Sequence, residues 1–262
     1  MTKDEKILYL EAAMKAAVIA GKEILAAQGG ENKVEYKGEI DLVTEMDLRA
    51  EEIIKDFLSS GFPDVAILAE ESGLSGSDSN IRWIIDPIDG TTGYAHGIPH
   101  FAVSIGLERE GMLEIGAVYN PPLKECFSAI KGGGAFLNGR AIGVSDTKEL
   151  KRSLLATGFS CDRATSAENN VAQFNAFLMK AQGIRRFGSA ALDLCYTAAG
   201  RFDGYWEMKL KPWDTAAGIL ILTEAGGKVT DFKGGGYSIY DDRLLCSNGH
   251  IHDQMIDILK GA

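Results

Sequence analysis

The 262-residue sequence has little of what marks membrane proteins and disulfide-bonded proteins. It has no run of about 20 apolar residues, which a membrane-spanning helix requires. Its first residues, 1–6, lack the basic-then-apolar layout of a signal peptide, so we expect a cytoplasmic protein with no membrane association. The four cysteines are scattered and form no C-x-x-C pair, which indicates free, buried thiols rather than a disulfide scaffold or a zinc site: Cys126, Cys161, Cys195 and Cys246.

Positive charge is also scarce. The chain has 27 Lys and Arg against 37 Asp and Glu, a formal net charge of −10. Nucleic-acid binding depends on cations that neutralise phosphates, so this balance disfavours a nucleic acid as the main partner. A small anionic substrate is compatible with it where cations mediate the contact. The 45% of hydrophobic residues is ample for a buried core.

No repeat or low-complexity linker divides the chain, but its pattern changes near residue 146. Before that point, two helices are followed by a cluster of strands that is typical of a mainly antiparallel sheet. After it, strands and helices alternate. We predict an α/β (α+β) fold with an N-terminal subdomain, 1–146, and a C-terminal subdomain, 147–262, that share one interface, a common place for an active site.

The individual elements follow from periodicity and from Gly and Pro breaks. The predicted helices are 4–28, 44–61, 167–181, 190–199, 214–225 and 252–259. The predicted strands are 65–69, 81–86, 101–107, 113–119, 125–130, 154–157, 184–187, 204–207, 228–230 and 244–247.

The segment Asp86-Pro87-Ile88-Asp89-Gly90-Thr91-Thr92 carries the main functional signal. Asp86 is expected at the carboxyl end of a short apolar strand, where α/β proteins place ligands. Two close carboxylates repel each other unless a cation or a proton lies between them, and Mg²⁺ prefers oxygen ligands of this kind. The small residues that follow offer backbone N–H groups suited to a phosphate. A lone Asp-containing turn is usually structural, so the prediction depends on the whole string.

The spacing of the two aspartates separates two phosphatase chemistries. Haloacid-dehalogenase phosphatases use an Asp nucleophile in a D-x-D-G-T arrangement, whereas two residues separate Asp86 from Asp89 here. The spacing therefore favours attack by water on a metal-bound phosphate over a covalent aspartyl-phosphate.

Residues 83–92 resemble the first signature of the inositol monophosphatase family, and Trp213-Asp214-Thr215-Ala216-Ala217-Gly218 resembles its second. Supporting matches are Asp41 to Thr44 with Asp47, Ala69 to Gly73, and Thr223 to Gly227. Order and spacing agree over nearly the whole chain. The resemblance implies a layered α-β-α-β-α sandwich of the inositol monophosphatase and fructose-1,6-bisphosphatase type, in which both subdomains form one catalytic unit.

The resemblance also implies two to three Mg²⁺ ions in each active site. The implied ligands are Glu70, Asp86 and the Ile88 carbonyl for one ion, Asp86, Asp89 and Asp214 for a second, and Glu70 for a weaker third. Thr91, linked to Asp47 and Glu70, is expected to orient and deprotonate the attacking water. The amides of Gly90 and Thr91 are expected to hold the phosphate.

Taken singly, three of these residues have structural explanations. Asp47 follows Thr44 at the spacing of a helix cap, and Asp214 precedes an apolar helix as an N-cap would. Glu70 reads as a solvated strand end. Only the joint pattern gives them a functional role.

The substrate side rests on Gly188 to Ala191 and Trp206 to Met208, which resemble the substrate-contacting segments of the family. Ala190 and Glu207 are the candidates, because a glutamate accepts hydrogen bonds from neighbouring hydroxyls and so selects a polyol. The alternative for Glu207 is a surface ion pair with Lys209 or Lys211.

Six further positions stay open at this stage. Asp193 is a weaker substrate-side candidate, and Arg185 and Arg186 suit either a phosphate or a surface contact. Gly93 stands where many family members have Asn. His96 and His100 are expected to make loop contacts, since the metal chemistry requires neither.

The sequence thus predicts Mg²⁺-dependent hydrolysis of myo-inositol monophosphate, or of a similar polyol or sugar monophosphate. The alternatives are a fructose-1,6-bisphosphatase or another small-molecule phosphatase of the superfamily, and a regulatory binding protein that retains the fold. The resemblance further implies lithium sensitivity and a homodimer.

Overall fold

The computed structural model describes residues 1–29, 34–36, 42–76 and 80–261. Asp41, part of one supporting motif, lies outside the described residues. The helices are α1 Lys3–Ala27, α2 Glu45–Gly61, α3 Thr91–Ala95, α4 Val171–Leu178, α5 Ala190–Ala198, α6 Pro212–Glu224 and α7 His252–Leu259, with a 3₁₀ turn at Leu150–Arg152.

The strands form three sheets within the described residues. They are β1 Val34–Tyr36, β2 Leu42–Thr44, β3 Ala66–Ala69, β4 Gly73–Ser75, β5 Ile81–Asp89, β6 Ala102–Arg109, β7 Met112–Asn120, β8 Glu125–Ile130, β9 Ala135–Leu137, β10 Arg140–Ala141, β11 Leu154–Thr157, β12 Gly183–Arg185, β13 Gly204–Met208, β14 Lys228–Thr230 and β15 Arg243–Ser247.

The large sheet has eight strands in the order β10-β9-β8-β7-β6-β5-β3-β4. Its neighbours are antiparallel except for β3 and β5, so the prediction of a mainly antiparallel sheet is confirmed. The small sheet has five strands in the order β12-β11-β13-β15-β14 and is mixed, since β11 runs parallel to both of its neighbours. A separate antiparallel pair joins β1 and β2.

The predicted five-layer sandwich is confirmed, and three buried clusters fill the spaces between its layers. Successive residues of β5 face opposite clusters, because side chains alternate along a strand: Trp83 and Ile85 pack with α1 and α2, and Ile84 packs with α5 and α6. Helices α4 and α7 cover the outer face of the small sheet, where Phe177 and Met255 pack with Trp206. Helices α5 and α6 therefore lie between the two sheets.

Helix α6 approaches the large sheet very closely. Gly106 of β6 and Gly116 of β7 are paired across the sheet beneath it. A Cβ at Gly116 would lie 2.6 Å from the carbonyl oxygen of Ala217, so any side chain there would push α6 outward. The small residues of the second signature thus allow a helix from the C-terminal half to pack on the N-terminal sheet. One buried cluster contains residues of both halves. The division at 146/147 stays a prediction.

Three predictions about local structure are corrected. The strand expected to stop at Asp86 continues to Asp89, and the helix expected over 167–181 is shortened to Val171–Leu178. The helix starts late because Asn170, with a left-handed φ of 65°, precedes it. Cys161 is exposed, unlike the three buried cysteines. None of the described helices combines the length and the apolar character that crossing a bilayer demands.

Candidate active site between the two sheets

The end of β5 places two aspartates in the interior. Asp86 and Asp89 are 2% and 7% exposed. The pairing of β5 with β6 shifts register between them, where Pro87 has no N–H to donate to a ladder. The chain therefore stays extended past the first aspartate, and both carboxylates remain buried.

Asp86 is the centre of a group of acidic residues. Its Oδ1 is buried and has no hydrogen-bond partner among the described residues. Burial raises the pKa of Asp86 well above its usual range, and the nearby charges of Glu70, Asp89, Asp214 and Asp47 raise it further. An unpaired buried carboxylate beside other acids is costly, and a divalent cation is its natural complement.

Asp89 is bound to the first turn of α5, 100 residues away in the chain. Ser189 Oγ donates to Oδ2 over 2.5 Å, the Ala191 N–H donates to the same oxygen over 2.7 Å, and the Ala190 N–H reaches Oδ1 at 3.3 Å. Burial raises the pKa of Asp89 to about 6, while these bonds oppose the rise. Ser189 was not among the predicted site residues, although a Ser at a predicted helix start is an N-cap signal.

Asp47 caps α2 and also contacts Thr91. Its Oδ2 accepts hydrogen bonds from the backbone N–H of Thr44 over 2.8 Å and from the Thr44 hydroxyl over 2.5 Å, as in a helix cap. Its Oδ1 lies 3.0 Å from the hydroxyl oxygen of Thr91, which is also 2.9 Å from the carbonyl oxygen of Ile88. Both acceptors draw on the single hydroxyl proton of Thr91.

Gly90, between Asp89 and α3, has a φ of 100°. A Cβ there would lie 3.2 Å from the His100 carbonyl oxygen and 3.4 Å from that of Gly188. Both the left-handed backbone and the close approach of two other segments therefore require glycine.

Asp214 and Glu70 join this group from two other elements. Asp214 lies inside the first turn of α6 rather than preceding the helix, and its Oδ2 accepts a 2.6 Å hydrogen bond from the Lys211 N–H. Burial raises its pKa well above the usual range, and Asp89, Glu70 and Glu207 add to the effect. Glu70 follows β3, where its N–H donates to the Ile85 carbonyl of β5 over 3.2 Å.

Glu207, on β13, faces the acidic group from the small sheet. The Tyr205 hydroxyl donates a hydrogen bond to its carboxylate. Burial raises the pKa of Glu207 to about 7, and the charge of Asp89 adds to the rise. The alternative of an ion pair with Lys209 is wrong, since the ammonium of Lys209 binds Asp162 and Ser166.

The remaining candidates divide between the site and its surroundings. Asp193 is 1% exposed, and burial raises its pKa well above the usual range, with Glu207 and Asp89 contributing. Its Oδ1 has no hydrogen-bond partner among the described residues. His100 instead packs against the ring of Phe187, with centroids 4.8 Å apart.

The carboxylates fit a hard divalent cation by chemistry rather than by a ready geometry. No three acidic, histidine or cysteine side chains in the described part of the chain form a complete metal-binding group. Asp89 and Asp214 turn their oxygens to protein N–H and O–H donors. These carboxylates and the Asp86 oxygen, which has no partner among the described residues, are all oxygen donors, the ligand type that Mg²⁺ prefers.

Comparisons with known proteins agree over almost the whole chain. Residues 7–261 match the inositol monophosphatase family. The chain is similar to the inositol-1-monophosphatase of Synechocystis, with 46% identity over 256 residues that cover 97% of this chain and 89% of the relative. It is also similar to the Nus factor SuhB of Vibrio cholerae, with 46% identity over 242 residues that cover 91% of each.

A solved structure gives the same result for the fold. The inositol monophosphatase of Anabaena (Nostoc) superposes with a TM-score of 0.90 at 43% identity. The match covers 97% of this chain and 96% of that chain.

Proposed function

Since this chain belongs to the inositol monophosphatase family, we propose that it hydrolyses myo-inositol monophosphate, or a similar polyol or sugar monophosphate, to the free alcohol and inorganic phosphate. The observation that carries the proposal is the buried oxygen of Asp86, which lies among four other acidic residues and has no hydrogen-bond partner in the described part of the chain. Such a group is stable in ionised form only with cations, and cations next to a phosphate are what this hydrolysis requires.

The proposed metal site holds two to three Mg²⁺ ions. The residues that would hold these ions are Glu70, Asp86, the Ile88 carbonyl, Asp89 and Asp214, with Asp86 at the centre of the acidic group. When bound, Mg²⁺ lowers the pKa of a water molecule and neutralises phosphate charge. The same ions would remove the repulsion that now raises the pKa of Asp86.

Thr91 is the proposed contact for the attacking water. Asp47 and the Ile88 carbonyl both lie within hydrogen-bond distance of its hydroxyl, so the proton is directed toward protein acceptors. The lone pairs of the same oxygen are then available to accept a proton from water, and the carboxylates of Asp47 and Glu70 are the proposed bases that assist Thr91. The amides of Gly90 and Thr91 are the proposed phosphate contacts.

Glu207 and Ala190 are the proposed contacts for the leaving alcohol. Among the described residues, Tyr205 is the one donor to the partly buried carboxylate of Glu207, which keeps acceptor capacity for substrate hydroxyls. Ala190 begins α5 directly beside Asp89, so a group that contacts it also lies near the proposed metal site.

The test compares the wild type with Asp89→Asn in a phosphate-release assay. We expect release from inositol 1-phosphate to need Mg²⁺ and to fall by about a thousandfold in the variant, which corresponds to about 4 kcal/mol of transition-state stabilisation. Circular dichroism should show that the variant stays folded. Normal turnover in excess EDTA would contradict the proposal. A panel with fructose 1,6-bisphosphate, glucitol 6-phosphate and NADP identifies the substrate class by kcat/KM.

The alternative of a regulatory binding protein can be tested with the same two proteins, the wild type and Asp89→Asn. Because one relative is named a Nus factor, a macromolecular partner that co-purifies equally with the wild type and with Asp89→Asn would support a binding role beside the enzymatic one. We also propose a cytoplasmic homodimer that lithium inhibits. Sedimentation tests the dimer, and turnover at increasing LiCl tests the inhibition.

A further inference from the structure

Gly158, the residue after β11, lies directly against the carboxylate of Glu207. A Cβ at this position would be 2.1 Å from Oε2 and 2.2 Å from Oε1 of that carboxylate. These distances are well inside van der Waals contact, so the carboxylate occupies the volume that any larger residue at 158 would fill. The φ of Gly158 lies outside the left-handed region, and backbone strain therefore does not explain the glycine.

Asn170 fixes the position of Gly158. It is 2% exposed, and its Nδ2 donates to the Gly158 carbonyl over 2.7 Å and to the Thr157 hydroxyl over 2.9 Å. Its Oδ1 accepts a 2.7 Å bond from Trp206 Nε1. The Thr157 hydroxyl in turn donates to the Trp206 carbonyl over 2.6 Å. The buried amide of Asn170 thus links Thr157 and Gly158 to Trp206, the residue before Glu207.

The carboxylate of Glu207 is consequently confined on two sides. The backbone of Gly158 forms one wall, and the Tyr205 hydroxyl binds the carboxylate from its own strand. Since Glu207 is otherwise a flexible side chain, this confinement determines the direction in which its free lone pairs point.

We propose that Gly158, held by Asn170, is a specificity-determining position that aims the Glu207 carboxylate at the hydroxyls of the leaving alcohol. The inference rests on the proposed function, in which Glu207 contacts that alcohol. Gly158 and Asn170 are positioning residues, because they act through Glu207. Since Glu207 can rotate, Gly158→Ala should displace its carboxylate at little cost to the fold.

The test uses two esters that differ in the leaving group: inositol 1-phosphate, and 4-nitrophenyl phosphate, whose leaving group has no neighbouring hydroxyls. For Gly158→Ala we expect kcat/KM to fall about tenfold with inositol 1-phosphate, mainly through a higher KM. A tenfold fall corresponds to the loss of one hydrogen bond to a charged group. With 4-nitrophenyl phosphate the value should stay within about twofold.

Two further variants make the result specific. Gly183→Ala is the matched control and should behave as the wild type, since a Cβ there would lie in ordinary van der Waals contact, 3.5 Å from Arg185 and from Leu154. In a Glu207→Ala background, Gly158→Ala should have no additional effect, because the displaced carboxylate is gone. Equal losses on both esters, or losses that multiply in the double variant, would overturn the inference.

A readout without turnover separates this inference from the proposed function. In protein labelled with [13Cδ]glutamate, the Glu207 signal is the one lost in Glu207→Gln. In Gly158→Ala it should shift and titrate below the pKa of about 7 that burial gives it, and in Gly183→Ala it should not move. If the wild type releases phosphate from neither ester, the proposed function fails, but the Glu207 signal still tests whether residue 158 positions the carboxylate. A Glu207 signal that does not move in Gly158→Ala overturns the inference even if the enzyme is active.

Discussion

The two sides of the site differ in what their polar groups bind. On the large-sheet side, Asp86 has a buried oxygen without a partner in the described residues and lies among acids. The small-sheet side instead supplies donors: Ser189, at the start of α5, binds Asp89, and Tyr205 of β13 binds Glu207. The difference indicates that the large-sheet side carries repulsion which cations relieve, whereas the small-sheet side uses hydrogen bonds to set direction.

Asp86→Asn should have the largest effect, because it removes the charge at the centre of the repulsion on the large-sheet side. We expect kcat/KM to fall by about a thousandfold or more, because Asp86 is the proposed ligand at the centre of the acidic group. Without divalent ions the same variant should be more stable than the wild type at neutral pH. The folded-state pKa of Asp86 is raised, so its ionised form costs stability, and a neutral amide removes that cost.

Phosphate release measures the first effect, and urea unfolding in EDTA and in Mg²⁺ measures the second. Mg²⁺ should raise the unfolding midpoint of the wild type far more than that of the variant. Asp162→Asn, which removes an exposed carboxylate bound to Lys209, is the control and should change neither quantity strongly. A variant that is less stable than the wild type in EDTA would show that Asp86 is not held under repulsion.

Gly116→Ala should weaken the contact between the two sides themselves. Its Cβ would collide with the Ala217 backbone, so α6 must move away from the large sheet. We expect a loss of about 3 kcal/mol in the free energy of unfolding. Activity should fall as well, since α6 carries Asp214 toward the carboxylates of β5.

Urea unfolding and phosphate release at saturating Mg²⁺ check both effects. Gly236→Ala is the matched control, because a Cβ there meets no atom within 4 Å. If Gly116→Ala lost stability but kept full activity, the position of Asp214 would not depend on the close approach of α6.

The sequence predicted best those parts of the site that lie in short strings. Asp86 and Asp89 fall in one strand, and the whole string from Asp86 to Thr92 suggests metal chemistry. Ser189 and Asn170 were not predicted, because their partners lie 100 and 36 residues away in the chain, and only the fold brings them together. Gly158 gave no signal for a related reason, since its lack of a side chain matters only beside Glu207.

The fold shows the same division. The family resemblance implies the layer order, the change of pattern near residue 146 predicts two subdomains, and most predicted element centres agree with the structure. The ends were less predictable. Asn170 stops the chain from being helical before Val171 because buried Trp206, Thr157 and Gly158 hold its side chain, a tertiary constraint that local propensity does not include.

Glu207→Gln gives the smallest expected effect, on the pH dependence of stability. Burial raises the pKa of Glu207 from 4.5 to about 7, so the folded protein binds this proton more tightly than the unfolded chain. Its contribution to stability is fully present below about pH 4.5 and is lost as the pH rises to about 7. Between these pH values, the free energy of unfolding should therefore fall by about 1 to 2 kcal/mol more in the wild type than in the variant. The value is at the low end because the side chain is partly exposed to solvent.

Urea unfolding of both proteins in EDTA, from pH 4.5 to 8, isolates this contribution, since the other carboxylates are common to the two proteins and cancel in the difference. Glu52→Gln, at an exposed position of α2, is the control and should leave the wild-type slope unchanged. Identical slopes for the wild type and Glu207→Gln would mean that the Glu207 charge is well solvated. The small-sheet side would then lose its confined acceptor, and the choice of alcohol would have to depend on Ala190 and the acids around Asp86.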